Sequence, residues 1–504
     1  MLAPDYLDHA PDRLVLLWQQ VEDDILRDVA RRISKMETLT PTANWQLWRY
    51  QQTEAVRQDV IKKLARYTGK SESAIRQLMQ EAATRALEAE DRIYYHYDLE
   101  PTPFAENETL QALLNAGYQQ TAGTFSNLTA TTANTVSGQF EAALDRAHLK
   151  VSTGAFDYKS AIKSAVDSLA DTMKYVTYPT GHQDTLEVAA RRAVLTGVNQ
   201  TAGKLQEARM DEMHVGFVET SAHGGARPSH AEWQGRQFHR GGAVDYLGKH
   251  YPDFYEATAY GTGGGIYGWN CAHTHWPIFP ELGAPPAWTQ ESLDALNARD
   301  IEYDGKMYTQ YEINQMQRAR ERTVRKYKRR HLAEDAAGAD TTQSAVKLRA
   351  ARAELADFTA RTGGRVDSAR TMVSGFGRSQ SSKATWAAKK QERLDAVNND
   401  LTELRQSGKI RMTGTAVVPP ALPNELNFEG HSLEQMAKRQ ISPVQANEIA
   451  EHAILAISQR NGTQHSYYSD KGFIVIKQDG SIGTVGWLDD GGKQIVEVMK
   501  KHGF

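Results

Sequence analysis

The sequence predicts a multidomain, mainly α protein: a helical N-terminal domain, a compact irregular α+β module rich in Cys, His and Gly, a long basic helix with a helical spacer, and a small C-terminal α+β domain. Three observations predict it. The chain, at 504 residues, is too long for one ordinary core when roughly 150 residues make a domain. Apolar residues recur at three- and four-residue steps through most of the stretch before Met213, the period of amphipathic helices. That period stops at two glycine-studded stretches, Thr220-Ser-Ala-His-Gly-Gly-Ala-Arg-Pro-Ser-His-Ala-Glu-Trp-Gln-Gly235 and Tyr260-Gly-Thr-Gly-Gly-Gly-Ile-Tyr-Gly-Trp-Asn-Cys-Ala-His-Thr-His-Trp-Pro277, which hold the single cysteine and the densest histidine cluster.

Composition narrows the class. Hydrophobic residues make up 40% and charged residues 24%, and the mean hydropathy of −0.58 fits a polar chain with long helical surfaces. A net charge of −3 gives the whole chain no pull towards nucleic acid, so any basic surface must be local. Cys271 has no partner in the chain, which excludes an internal disulfide framework and fits a reducing compartment. Met1-Leu-Ala-Pro-Asp-Tyr-Leu-Asp lacks a basic segment followed by an apolar one, so no signal peptide is expected, and no apolar run is long enough to span a bilayer.

The first domain, residues 1–214, opens with Leu14, Leu17, Trp18, Val21, Ile25, Val29 and Ile33 on one helical face. This helix should stop before Pro41. A second is expected from Asn44 as N-cap to Tyr67, with Gly69 as its stop, and a third from Ser73 to Tyr95. Pro101 and Pro103 break the pattern. Further helices are expected around Leu110 to Tyr118, Gln139 to His148, Tyr158 to Tyr175 and Thr185 to Met213. The β-prone run Val215-Gly-Phe-Val-Glu-Thr220 then leads into the irregular α+β module, residues 215–286.

After Pro285-Pro286 the helical signal returns. Residues 287–415 read as a basic helix from Tyr308 to Arg330 and a polar, partly helical spacer broken at Gly363-Gly364 and from Gly375 to Ser382. Val417-Val-Pro-Pro-Ala-Leu-Pro423 has the composition of a stiff linker, residues 416–425. The last domain, 426–504, should hold helices from Ser432 to Arg439 and from Ser442 to Ser458, strands at Ser466 to Ser469, Phe473 to Lys477 and Ile482 to Trp487, and a terminal helix from Lys493.

Three constellations carry chemistry. Cys271, His273 and His275 lie close in sequence, and His230, His223 or His239 can be brought to them by the fold. Zinc takes thiolate and imidazole in tetrahedral geometry, and such a crosslink would help a small irregular module to fold. The candidate ligands are His230, Cys271 and His273; the competing readings are a buried thiol with hydrogen-bonded histidines, or Cys271 as a nucleophile with His230 or His273 as its base. Gly261-Thr-Gly-Gly-Gly265 is either a phosphate cradle or a tight loop, and no strand–glycine–helix frame surrounds it. In the basic helix Arg318, Arg322, Arg325 and Arg329 share one face, with Arg320, Lys326, Lys328 and Arg330 beside them. That stripe either tracks a phosphate backbone, or is solvated or paired to an acidic neighbouring subunit.

Thr185-Leu-Glu-Val-Ala-Ala-Arg-Arg-Ala-Val-Leu-Thr-Gly-Val-Asn-Gln-Thr201, Gly224-Gly-Ala-Arg-Pro-Ser-His-Ala-Glu-Trp-Gln-Gly-Arg-Gln-Phe238, Gly268-Trp-Asn-Cys-Ala-His273 and Tyr303-Asp-Gly-Lys-Met-Tyr-Thr-Gln-Tyr-Glu312 occur in that order. Together they resemble the tailed-phage minor capsid protein 2 family, over roughly residues 1 to 335. The resemblance implies a virion structural protein of head morphogenesis, assembled in the bacterial host cytoplasm. Its implied partners are the portal or the major capsid protein, with packaged DNA as the natural partner of the arginine stripe.

Gly430-His-Ser-Leu-Glu-Gln-Met-Ala-Lys-Arg-Gln-Ile-Ser442, followed by Tyr467-Tyr-Ser469 and Gly483-Thr-Val485, is similar to phage-borne nuclease-like domains of the barnase, EndoU, colicin and RelE group. This resemblance implies an RNA-cleaving effector, delivered to the host with the genome. Cleavage of that kind needs an acid or base, here His431, cations for the phosphate charge, here Lys438 and Arg439, and polar contacts, here Tyr468, Ser469 and Thr484. Related domains often carry a basic residue four positions after the histidine, where this chain has Gln435. The alternative is that His431 caps a helix whose last turn Lys438 and Arg439 stabilise as ordinary cations.

Overall fold

The computed structural model describes the chain except residues 1, 37–42, 154–156, 173–175, 179, 284 and 424–425. Pro41, Tyr175 and the last residues of the proline-rich linker fall outside the described residues, as does the side chain of Asn44. Helix accounts for 61% of the structure, which makes the protein mainly α. The chain groups into two compact units, Met1–Ser382 and Lys383–Phe504.

The first unit is built on long helices. In α1, Asp12–Ser34, the expected stripe is the buried face: Leu14, Trp18, Val21, Ile25, Val29 and Ile33 are all inside, and Leu17 is half-buried at its margin. Helix α2 runs unbroken over Ala43–His96, so Gly69 does not end a helix as expected. Nothing lies within contact of the space a Cβ would take there. Glycine in a helix interior costs about 1 kcal/mol, and the burial of Val60, Leu64, Ile75 and Met79 on either side offsets that. Helix α3, Glu108–Ser152, likewise fuses two expected helices; Asn107 caps it by accepting from the Leu110 amide at 3.1 Å.

Helices α4, Tyr158–Thr172, and α5, Leu186–Glu212, complete the bundle. Where α3 and α5 meet, Gly117 faces Thr201 and Gly197 faces Thr121. A Cβ on either glycine would overlap the opposing threonine hydroxyl, so glycine sets how closely the two axes approach.

The central module follows as a three-stranded antiparallel sheet. Strand β1, Phe217–Thr220, is in the middle, flanked by β2, Gln237–His239, and β3, His275–Pro277. Its register pairs Glu219 with both Gln237 and Trp276. Its core unites Val218, Trp233, Phe238, Phe254, Ile266, Tyr267 and Cys271 with Tyr94 of α2 and Met210 of α5.

The hairpin Arg299–Tyr303 with Lys306–Thr309 leads into α6, Gln310–Ala336, which opens with a capping box between Thr309 and Glu312. The segment beyond, expected as a spacer, is packed: α7, Thr342–Arg361, buries Ala345, Leu348, Ala351, Leu355 and Phe358, and it lies along α6.

The second unit begins within α8, Arg378–Gln406. It holds a five-stranded antiparallel sheet in sequential order: β4, Thr415–Val417; β5, Leu455–Gln459; β6, Gln464–Tyr468; β7, Gly472–Lys477; and β8, Ile482–Trp487. Helices α9, His431–Arg439, and α10, Pro443–Glu451, cover one face. Helix α8 and the terminal α11, Asp490–Lys501, cover the other, giving three layers.

Two expectations change here. Helix α10 ends at Glu451 rather than Ser458, because the run after it becomes β5, whose Leu455 and Ile457 enter one core and Ala456 the other. A strand buried on both faces is apolar at every position, and by periodicity it reads like helix. The proline-rich segment begins as strand β4 and stays on the domain: Val417 and Leu422 pack on its core, and the Tyr467 hydroxyl donates to the Pro420 carbonyl at 3.3 Å.

Candidate metal centre

Residues 271–274 lead without regular secondary structure into β3, and Cys271 and His273, two positions apart, turn their side chains to one place. His230 arrives from the short helix Pro228–Ala231. All three are buried. His230 Nδ1 lies 3.2 Å from His273 Nδ1, Cys271 Sγ lies 3.6 Å from His273 Nδ1 and 3.9 Å from His230 Nδ1. Among the described residues this is the group of His, Cys and carboxylate side chains whose ligand atoms converge in this way.

The outer ring nitrogens fix the protons. His230 Nε2 is 2.8 Å from the Gly264 carbonyl, which can only accept, so Nε2 carries the proton and Nδ1 a lone pair. His273 Nε2 is 3.1 Å from Gln234 Oε1. The His223 backbone amide donates to that same oxygen at 3.2 Å, so it too is an acceptor and His273 Nε2 is the donor. Burial pushes His230 down to about 4. It also pushes His273 well below its ordinary value, with His223 and His230 adding to the effect. In a neutral ring each outer proton leaves Nδ1 bare, and the two Nδ1 atoms face each other. Burial holds the Cys271 thiol up, against the His273 amide that donates to its sulfur.

The other histidines divide. The ring of His223 lies 4.4 Å from that of His273, and its Nδ1 meets the Gly224 carbonyl at 3.1 Å. His275 joins a separate network, with Nε2 2.8 Å from Glu207 and Nδ1 2.5 Å from the Tyr267 hydroxyl. Burial opposes the charge of Glu207, but His275, Arg240 and Tyr255 hold it down to about 2. His239 bonds the Gly242 carbonyl from β2. The glycine loop 261–265 turns a carbonyl, not an amide, towards the cluster, and a Cβ on Gly265 would overlap the Ala259 backbone. Asn199 of α5 anchors the ligand segment, donating to the carbonyls of Cys271 at 3.0 Å and His273 at 3.3 Å.

The arginine stripe of α6 faces two ways. Arg329 is buried and approaches Glu187 at 3.1 Å, Asp23 at 3.3 Å and Glu22 at 3.4 Å. Arg325 pairs with Glu187 at 3.1 Å and donates to the Arg370 carbonyl. Neither guanidinium is presented to a phosphate backbone. Arg322 is exposed and Arg318 partly so. Helical spacing places the four on one face without showing that carboxylates of α1 and α5 take up half of it.

A family model described as Phage minor capsid protein 2 matches residues 2–360, a span that holds the whole Cys/His cluster and the arginine helix. The chain belongs to that family. As a member it is a structural protein of the phage head, and its location is the virion. No curated protein and no solved structure matches the chain. Among the described residues no helix is long and apolar enough to cross a membrane.

Beyond the matched span, the residues singled out for RNA cleavage are spread over both faces of the C-terminal sheet. His431 starts α9 with its side chain 67% exposed, 4.0 Å from Glu434, and Lys438 is exposed on the same helix. The helix packs through Met436 on the face that carries Ile474 and Val485. Tyr468 is buried in the opposite core with Leu394, Val397 and Ile495, stacked on Phe473 at 5.8 Å. Arg439 is engaged at the sheet edge, donating to Thr484 Oγ1 at 3.0 Å and to the Val485 carbonyl. Ser469 closes the turn to Gly472. Gln435 is half-buried on α9.

Proposed function

We propose that the first unit is the head-morphogenesis part of this phage structural protein and that it works at the portal or the inner face of the capsid, assembled in the host cytoplasm. The observation that carries the reading is the coincidence of two boundaries: the family match, 2–360, lies inside the compact unit Met1–Ser382. Long packed helices and a buried Cys/His knot suit a rigid scaffold better than a catalyst. The C-terminal unit then serves as an appendage to that scaffold.

Contact with packaged DNA is not part of this reading, since Arg325 and Arg329 are committed to carboxylates. RNA cleavage is not part of it either, since Tyr468 lies in the core on the sheet face away from His431. The test is a phage whose gene stops after the codon for Ser382. Particles with normal yield and a normal DNA content are expected. Failure to form heads, with the shortened protein folded and present, would assign assembly to the second unit.

A further inference from the structure

We propose that His230, Cys271 and His273 bind a zinc ion through Nδ1, Sγ and Nδ1, and that His223 supplies the fourth ligand. The first argument is hydrogen-bond direction. Two imidazole lone pairs 3.2 Å apart have between them a single thiol proton, which can satisfy one of them. Reversing either ring would turn a lone pair onto the Gly264 carbonyl or onto Gln234 Oε1, whose acceptor role the His223 amide fixes. A cation at the centre satisfies all three inward atoms at once.

The second argument is metric. Zinc–nitrogen bonds of about 2.05 Å and a zinc–sulfur bond of about 2.3 Å, at tetrahedral angles, put nitrogen about 3.3 Å from nitrogen and about 3.6 Å from sulfur. The structure has 3.2 Å between nitrogens, and 3.6 and 3.9 Å from sulfur to each. One thiolate among imidazoles, with no carboxylate in the group, selects zinc over calcium or magnesium.

The outer contacts have the form metal-bound histidines need: the far ring nitrogen of each donates to a fixed oxygen, which aims the lone pair inward. The His273 amide donates to Cys271 Sγ at 3.3 Å and so favours the thiolate. His223 is assigned to the remaining corner because its ring lies, tilted, 4.4 Å from that of His273 and its Nε2 is buried without a hydrogen-bond partner. Its ligand atom lies outside the tight group of three, so coordination includes a turn of that side chain. Four protein ligands close the site, and its role is to pin the helix Pro228–Ala231 to the segment that continues into β3.

The test uses the full chain, refolded with zinc and separately with cobalt(II). Elemental analysis should find one zinc per chain, and cobalt should give tetrahedral visible bands with a thiolate charge-transfer band in the near ultraviolet. Cys271→Ser should lose that band. His230→Cys keeps a ligand at the position and should still bind, which separates loss of a ligand from failure to fold. Gln234→Ala should weaken zinc binding by about 10–100-fold. A folded wild-type chain that takes up neither metal overturns the proposal, as does full zinc retention in both Cys271→Ser and His230→Ala. Unchanged zinc affinity and cobalt bands in His223→Gln would remove His223 from the coordination sphere.

Discussion

The guanidinium of Arg329 reaches back 306 residues along the chain to Asp23, with Nε 3.3 Å from Oδ1. Glu22 and Glu187 are on the same guanidinium, and Arg325 shares Glu187. Three buried carboxylates thus meet two guanidiniums, and one retained proton makes the cluster neutral. Burial opposes the charge on Glu187, but Arg329 and Arg325 hold it below the usual range. Burial raises Glu22 to about 8 and Asp23 to about 7, so the proton resides on that pair.

Removing Arg329 takes the salt-bridge partner from Glu22 and Asp23 in the core. Arg329→Met should destabilise the first unit by about 3–5 kcal/mol, read as a fall in the denaturant midpoint. An unchanged midpoint would mean that the pairs are open to water.

The same cluster predicts a pH dependence. Glu22 binds its proton more tightly folded than unfolded, where its value is near 4.5. Its contribution to stability is therefore complete below about pH 4.5 and is lost as pH rises through about 8. Thermal melts of the first unit's transition should fall across that window, and Glu22→Gln should flatten the slope. Equal slopes in the two proteins would place the proton elsewhere.

Gly117→Ala and Gly197→Ala should each cost about 1–3 kcal/mol by forcing α3 and α5 apart. Adding Thr201→Ala to Gly117→Ala removes the atoms in the way and should recover part of the loss. No recovery in the double variant would show that the approach to Thr201 does not govern the site, since alanine is the better helix former.

Asn199→Leu should lower stability by about 1–3 kcal/mol, because the carbonyls of Cys271 and His273 lose their buried donor. Protease nicking near residue 271 should rise with it. A variant as resistant as the parent would show that β3 holds the segment alone.

The stripe from Leu14 to Ile33 was legible because one helix buries one face. So was Cys271-x-His273, since so short a spacing needs no partner to be seen. His230 was reachable from its motif, but Gln234, which fixes the His273 proton, carries no sequence signal of that role. Gly69 misled because a glycine stop and a glycine tolerated inside a packed helix look alike in one dimension. Arg325 and Arg329 misled for a related reason: spacing gives the face of a helix, not what covers it. In the last domain, the run through Leu455 and Ile457 showed apolarity but not period.

The Arg329 cluster also sets an order of events at the ribosome. Glu22, Asp23 and Glu187 are synthesised long before Arg325 and Arg329, and a core that closed over the three carboxylates early would bury them without counter-charges. The nascent bundle is therefore expected to stay loose at that point until α6 has emerged. The chain is in effect locked by one of its later helices, and a fragment ending before residue 325 would be an open precursor rather than a smaller version of the fold.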